Sequence, residues 1–305
     1  MDRLLAIELF IRVVDLGSFS KAAADLGMGQ PTATKLVASL EKLLGSRLLH
    51  RSTHGVAPTE IGALYYKKCK LIVHHADEAQ NLTTLLQSQV QGALRISTSV
   101  AFGRRVLSPL VMRFMQLHPK LQVELNFEDR YDNLVECGID VAVRMGPLAD
   151  STLGARYLGI NPWALVASGD YLAARGTPIK PSDIQTHDAL IYSTVQGDAR
   201  WHLTGADGVV QTIPVKGPLR SNNLSALLVA ARGSMGLAAL PSYVACQSLG
   251  SGALCAVLTD WSLPSQEIHA VYPSPQLVPA KVTEFVGWLQ GQFGASWWLR
   301  QNSMT

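Results

Sequence analysis

Charge is scarce in this chain of 305 residues. Lys, Arg, Asp and Glu make up 16% of it, against about 25% in ordinary soluble domains, while hydrophobic residues make up 48%. That balance excludes a disordered or polyampholyte chain, and a surface so poor in charge is the kind that self-association covers. Long apolar runs are missing too. None approaches the roughly 18 residues of a membrane span, and Asp2, Arg3, Glu8 and Arg12 interrupt the start where a signal peptide needs an unbroken apolar core. The expectation is a cytoplasmic protein with no membrane partner. Cys69, Cys137, Cys246 and Cys255 form no C-x-x-C pair, and their irregular separations suit neither a zinc site nor a disulfide framework. They read as reduced packing residues.

Catalytic signatures are equally absent. The chain holds no G-x-S-x-G, H-E-x-x-H, P-loop or G-x-G-x-x-G, so neither an enzyme nor a cofactor is expected. His74 and His75 are neighbours in a helical pattern, where adjacent side chains diverge by about 100°, so they do not share a metal.

What is present is uneven. Residues 1–70 hold 10 Lys and Arg against 6 Asp and Glu, a balance of +4, while residues 71–305 hold 16 against 17, a balance of −1. The N-terminal segment therefore carries the positive charge, which makes nucleic acid a partner worth testing.

Leu4, Ile7, Phe10, Ile11 and Val14 recur at helical spacing before Gly17. Ser20 offers a cap for a short second helix ending at Gly27, and Pro31 opens a third with Ala33, Leu36, Val37, Leu40 and Leu44 on one face. Its other face carries Gln30, Thr32, Thr34, Lys35 and Ser39. A hairpin pattern follows from Leu48 to Val56. The set spells a winged helix-turn-helix over residues 1–58, with a three-helix bundle lacking a nucleic-acid role as the alternative.

From Thr59 to about residue 90, apolar positions keep a three-and-four spacing through Leu64, Leu71, Ile72, Leu82 and Leu86. So long a stripe cannot be buried by a small winged domain, which points to another copy of itself and to a homodimer or homotetramer. Residues 91–305 then alternate strand and helix, giving an α/β module, with one strand expected over 213–220. Open sheets bind ligands beyond the carboxyl ends of their strands, here 97–100, 127–130, 144–146 and 192–194. The helix after Ser97, Thr98, Ser99 and Val100 offers its first amides to an anion. Trp297 and Trp298 form either an exposed patch or a clasp on the last helix.

These residues resemble a known family. The stretch Phe10-x-x-Val13-x-x-x-Gly17-Ser18-Phe19-Ser20-x-Ala22-Ala23-x-x-Leu26, then Gln30-Pro31-Thr32-Ala33-Thr34, then Leu40-Glu41-x-x-Leu44-Gly45-x-x-Leu48-Leu49-x-Arg51 and Thr59-Glu60-x-Gly62, is similar to the LysR-type transcriptional regulators. Gly138-Ile139-Asp140-Val141-Ala142-Val143-Arg144-Met145-Gly146 and Gly236-Leu237-Ala238-Ala239-Leu240-Pro241 resemble that family's effector domain. Gly29 departs from the pattern, since the family often has Ser there.

The resemblance implies an oligomeric regulator of double-stranded DNA that binds palindromic promoter sites. It also implies an effector module of two α/β subdomains similar to type-two periplasmic binding proteins, subdomain I about 91–161 and 266–305 and subdomain II about 162–265. Gln30, Pro31, Thr32, Thr34 and Lys35 would meet the major groove, with Arg51 and Thr53 of the wing on phosphate or the minor groove. An interdomain salt bridge is the other reading of Arg51. Thr194, Asn222, Asn223, Phe127, Arg144 and Pro241 would join Ser97 to Val100 around a small organic effector, a carboxylate or an aromatic. Arg144 suits a carboxylate, and equally an ion pair with Asp140 or Asp150. Two further functions stand as alternatives, an enzyme whose N-terminal helices serve assembly and a solute-binding protein.

Overall fold

Asp2 starts the first helix, α1 (Arg3–Leu16), by accepting from the Leu4 and Leu5 amides, and Gly17 ends it in the left-handed conformation. The second, α2 (Phe19–Asp25), is capped by Ser18, whose Oγ accepts from the Lys21 N–H at 3.4 Å. Ser20, the expected cap, lies inside the helix. Ser18 has the extended backbone a cap requires, and Phe19 must start the helix to enter the core. Helix α3 (Gln30–Leu44) begins at Gly29 with no side-chain cap and stops at left-handed Gly45. Phe10, Val13, Phe19, Ala22, Ala33, Val37, Leu40 and Leu48 fill the shared core.

Strands β1 (Leu49–Ser52) and β2 (Gly55–Pro58) form the antiparallel wing, with Arg51 opposite Val56. Glu41 Oε1 accepts from the Leu48 and Leu49 amides at 2.8 and 3.1 Å, and the Val56 N–H donates to Gly17 O at 3.0 Å. The wing is thereby fixed to α3 and to the turn after α1. Thr59 Oγ1 accepts from the Gly62 N–H and caps α4 (Glu60–Thr84).

The computed structural model describes residues 2–52, 55–84, 90–129, 134–148, 153–193, 199–273 and 278–299. Thr53, Leu86, Asp150 and Thr194 lie outside them, as does the side chain of Leu82. The chain divides into two units, Met1–Gln89 with Asp132–Ile139, and Val90–Tyr131 with Asp140–Thr305.

The second unit is α/β. Its elements in chain order are β3 (Gly92–Thr98), α5 (Val100–Phe102) running through a π-helical turn (Gly103–Leu107) into α6 (Ser108–Leu117), and β4 (Leu121–Phe127). Helix α7 (Leu134–Cys137) belongs to the first unit, where it packs on α4. Then come β5 (Val141–Met145), β6 (Gly154–Asn161), β7 (Trp163–Ala167), α8 (Gly169–Arg175), β8 (Ala189–Tyr192), β9 (Arg200–Thr204), β10 (Val210–Pro214) and β11 (Leu219–Ser221). The chain closes with α9 (Leu224–Arg232), β12 (Leu237–Pro241), α10 (Ser242–Gly250), β13 (Cys255–Ala256), β14 (Gln266–Tyr272) and α11 (Ala280–Gln290).

One sheet has the order β4-β3-β5-β14-β6 and the other β11-β8-β12-β7-β13, with β9 and β10 as a separate ribbon. The strand expected over 213–220 is in fact two. Pro214 and Pro218 lack the N–H a ladder needs, and a side chain at Gly217 would run into the Ala189 backbone. So β10 ends in the ribbon and β11 joins β8.

A buried pair ties the first sheet together. Lys281 Nζ lies 3.1 Å from Asp140 Oδ2 and donates to Ala93 O, and the same carboxylate oxygen accepts from the Arg95 N–H at 2.8 Å. Trp297 proves to be a clasp. It is buried, its indole N–H donates to Ile160 O at 2.7 Å, and it packs against Phe102, Tyr243 and Phe293, with Trp298 edge-on to it. Among the described residues no helix is long and apolar enough to cross a membrane. None of the four cysteines is in a disulfide, but only Cys69 and Cys246 are buried packing residues, while Cys137 and Cys255 are exposed. Burial pushes the Cys69 thiol up to about 11, which keeps it protonated and inert.

Candidate nucleic-acid interface and ligand cleft

The third helix separates its faces cleanly. Ala33, Val37 and Leu40 are fully buried, whereas Gln30, Pro31, Thr32 and Lys35 are exposed and Thr34 is half-buried beside them. Pro31 sits in the first turn, where its missing N–H has no partner to lose. Ser39 turns its hydroxyl back to Lys35 O at 2.8 Å, so it is a weaker reader than its position on the polar face suggests. An exposed row of amide, hydroxyl and ammonium groups at the start of a helix can reach base edges in a major groove.

Arg51 projects from β1, exposed, with its guanidinium carbon 4.5 Å above the Phe19 ring. The ring holds the cation by its face and leaves the N–H edges for an outside acceptor.

Helix α4 has two apolar faces. Tyr65, Cys69 and Val73 pack on the winged core, and Tyr66 bonds Asp15. About 100° around the helix, Ile61, Leu64 and Ile72 are exposed and Leu71 is half-buried. Of the stripe read from the sequence, the described side chains Leu64, Leu71 and Ile72 lie off the face that packs on the winged core.

In the second unit, each of the two sheets brings a set of candidate residues to its strand ends. On the first sheet stand Ser97 and Thr98 at the end of β3 with Ser99 just after it, Arg144 and Met145 at the end of β5, and Asn161 at the end of β6. On the second stand Trp163, Tyr192, Ser221 and Pro241. The sets meet where the chain crosses between sheets. There Gln266 Oε1 accepts from Asn161 Nδ2 at 3.1 Å and from Trp163 Nε1 at 3.0 Å.

Several expected contact groups are already engaged. Thr98 Oγ1 donates to Val143 O at 3.0 Å, and Asn223 Oδ1 accepts from the Ser225 and Ala226 amides as the cap of α9. Phe127 lies flat against Gly103, where any side chain would collide with its ring. Arg144 is buried opposite His269. The suggested partner Asp140 belongs to Lys281 instead. Ser97 and Pro241 are buried and Asn222 is exposed. Ser99 Oγ is buried with no partner among the described residues.

Sequence reading missed Asp129, whose Oδ1 accepts from the Val100 N–H at 3.0 Å, and it missed the Asn161, Trp163 and Gln266 junction. Nothing local marks either set, because each joins residues far apart in the chain. Among the described residues no cluster could hold a metal ion.

Comparison with known proteins bears on both units. Residues 4–63 match the family of bacterial regulatory helix-turn-helix proteins of lysR type, and residues 87–294 match the LysR substrate binding domain. An uncharacterized HTH-type transcriptional regulator of Haemophilus influenzae is 35% identical over 283 residues, covering 93% of this chain and 98% of that protein. The HTH-type transcriptional activator AaeR of Escherichia coli is 30% identical over 293 residues, covering 96% and 94%. The full-length virulence activator AphB of Vibrio cholerae superposes with a TM-score of 0.62 at 27% identity, covering 94% and 98%. CrgA of Neisseria meningitidis superposes at 0.61 with 27% identity, covering 95% and 98%. With a helix-turn-helix unit and a two-subdomain α/β effector module both matched, the chain belongs to the LysR family of transcriptional regulators.

Proposed function

We propose that the protein acts as a dimer or dimer of dimers that reads an interrupted palindrome in double-stranded DNA and changes its grip when a small organic molecule occupies the α/β cleft. Residues 1–58 are the reader, 59–90 the linker and dimerisation helix, and 91–305 the sensor, working in the cytoplasm. Gln30, Pro31, Thr32, Thr34 and Lys35 meet base edges, and Arg51 with Thr53 holds the backbone. The exposed or half-buried Leu64, Leu71 and Ile72, together with the sequence-assigned Leu82 and Leu86, join two copies. The effector, a carboxylate or an aromatic, is bound without turnover. Ser97, Ser99, Val100, Phe127, Arg144, Thr194, Asn222 and Pro241 line its site, and Thr98 and Asn223 shape the strand ends.

One observation carries this reading: an exposed polar helix start backed by a fully buried stripe, beside a wing whose arginine is held on a ring and open to phosphate. Selection of bound DNA from a random pool, at stated salt, tests it. The expected product is an inverted repeat whose half-sites lie about 10 base pairs, or a multiple, apart. A pool that enriches no inverted repeat overturns the proposal.

A further inference from the structure

A long cationic side chain on a surface strand ordinarily wanders among many rotamers, and Arg51 is denied that freedom. Its guanidinium carbon lies 4.5 Å from the centre of the Phe19 ring. Among the described residues no carboxylate or other acceptor engages the guanidinium, whereas Arg12, which also lies against α2, is paired with Asp25 at 2.9 Å. The ring beneath Arg51 is itself fixed. Phe19 is 7% exposed, belongs to the core shared by the three helices and the wing, and is the first residue of α2, directly after its cap Ser18. The strand that carries the cation is tied to the same corner. Arg51 stands opposite Val56, and the Val56 N–H donates to the oxygen of Gly17, two residues before Phe19. A Cβ at Gly55 would lie 3.2 Å from that oxygen, so the approach is close.

Cation–π attraction draws the guanidinium to the ring face, while hydrogen bonding to phosphate uses the N–H donors that lie in the guanidinium plane. The two interactions do not compete. We propose that Phe19 is a positioning residue for the phosphate grip of Arg51: its ring holds the guanidinium where the DNA backbone arrives, so the rotamer freedom that a loose arginine would lose on binding is absent beforehand. The inference rests on the phosphate role given to Arg51 above and adds a residue that makes no contact with DNA itself. The charge that meets the phosphate is the same with or without the ring. The ring should therefore set the strength of binding at every salt concentration and leave the number of released counterions unchanged.

The full chain and a duplex of random sequence, titrated at salt concentrations from about 50 mM upward, test this, because a phosphate contact is indifferent to sequence. Phe19→Leu should weaken binding about fivefold at each salt concentration, as the ordering of one long side chain requires, with the salt slope of wild type. In the Arg51→Ala background the same substitution should change nothing. A merely loosened core would weaken both backgrounds alike, so equal losses overturn the proposal, as does wild-type affinity in Phe19→Leu. If Phe19→Leu loses its fold, pentafluorophenylalanine at position 19 decides alone. It keeps the shape of the ring and reverses the charge of its face, and should give the same fivefold loss with the same dependence on Arg51. Failure of this inference is distinguishable from failure of the proposed function. Coupling of Phe19 to Arg51 on random duplex, with no inverted repeat enriched from the pool, removes the palindrome and keeps the positioning role. An enriched repeat without coupling does the reverse, and a wild-type chain that binds no duplex at all overturns both.

Discussion

The two units hold their site residues in opposite ways. On α3 the candidate readers Gln30, Pro31, Thr32 and Lys35 are exposed, with Thr34 half-buried beside them, a surface suited to a rigid partner of fixed shape. Among the candidate effector residues, Thr98, Val100 and Asn223 are bonded to other parts of the chain, and Arg144 is buried. A surface that meets DNA can be finished in advance, whereas a site that must respond to a ligand needs internal contacts that the ligand can replace.

The sharpest way to break this comparison is to attack what holds the sensor. Lys281 and Asp140 are both almost fully buried, so Lys281→Met leaves a carboxylate stranded and should cost the α/β unit about 3–5 kcal/mol, read as a shift of its denaturation midpoint. Asp140→Leu added to it should recover much of that loss. If the single variant unfolds at the wild-type midpoint, the pair is not what fixes the sheet.

Next in size is the outward stripe of α4. Leu64→Glu with Ile72→Glu alters side chains that are exposed within one chain, so folding should survive while the dimer dissociation constant rises roughly a hundredfold. Sedimentation checks it. Cys69→Glu, on the packed face, should instead unfold the reader. Equal behaviour of the two faces would erase the division between them.

Smaller still are the reading contacts. Thr34→Ala should change preference at one base pair by about 1–3 kcal/mol, and Arg51→Ala should weaken all sites alike and flatten the salt slope by about one unit. Binding titrations at several salt concentrations separate the two phenotypes.

The smallest effect is a pH dependence confined to the sensor. His187 lies beside the Tyr171 hydroxyl, 3.2 Å from Nδ1, and burial, helped by the Arg175 charge, holds its pKa below the ordinary 6.5. The unfolded chain therefore binds the proton more readily. Stability should be constant above about pH 6.5 and fall as pH drops from there toward the folded pKa. His187→Asn should flatten the melting temperature across that window, and an equally steep variant would acquit the histidine.

The same contrast decides what the sequence could tell. Gly17, Gly27 and Gly45 all take the left-handed conformation expected of helix stops, and the Ala33, Val37 and Leu40 stripe is buried as its period requires. Those signals act within a few residues. Ser20 misled because Ser18 competes for the same role two positions away. Asp129 left no trace because the Val100 amide is 29 residues distant, and α10 showed no period because Tyr243, Val244, Ala245 and Cys246 are all buried. Side chains that choose partners through sheet register are invisible to any window shorter than the register.

The place of β14 has a consequence in time. It lies between β5 and β6, and Trp297 clasps the end of β6 at Ile160, so the sheet cannot close until nearly the whole chain has emerged from the ribosome. The three helices and wing end at Pro58, and the α4 residues that finish their core, Tyr65, Cys69 and Val73, follow within the next 15 positions. At about 5–20 residues per second, the reader is folded roughly ten seconds or more before its sensor can exist, and nascent chains begin life able to find DNA but unable to take an instruction.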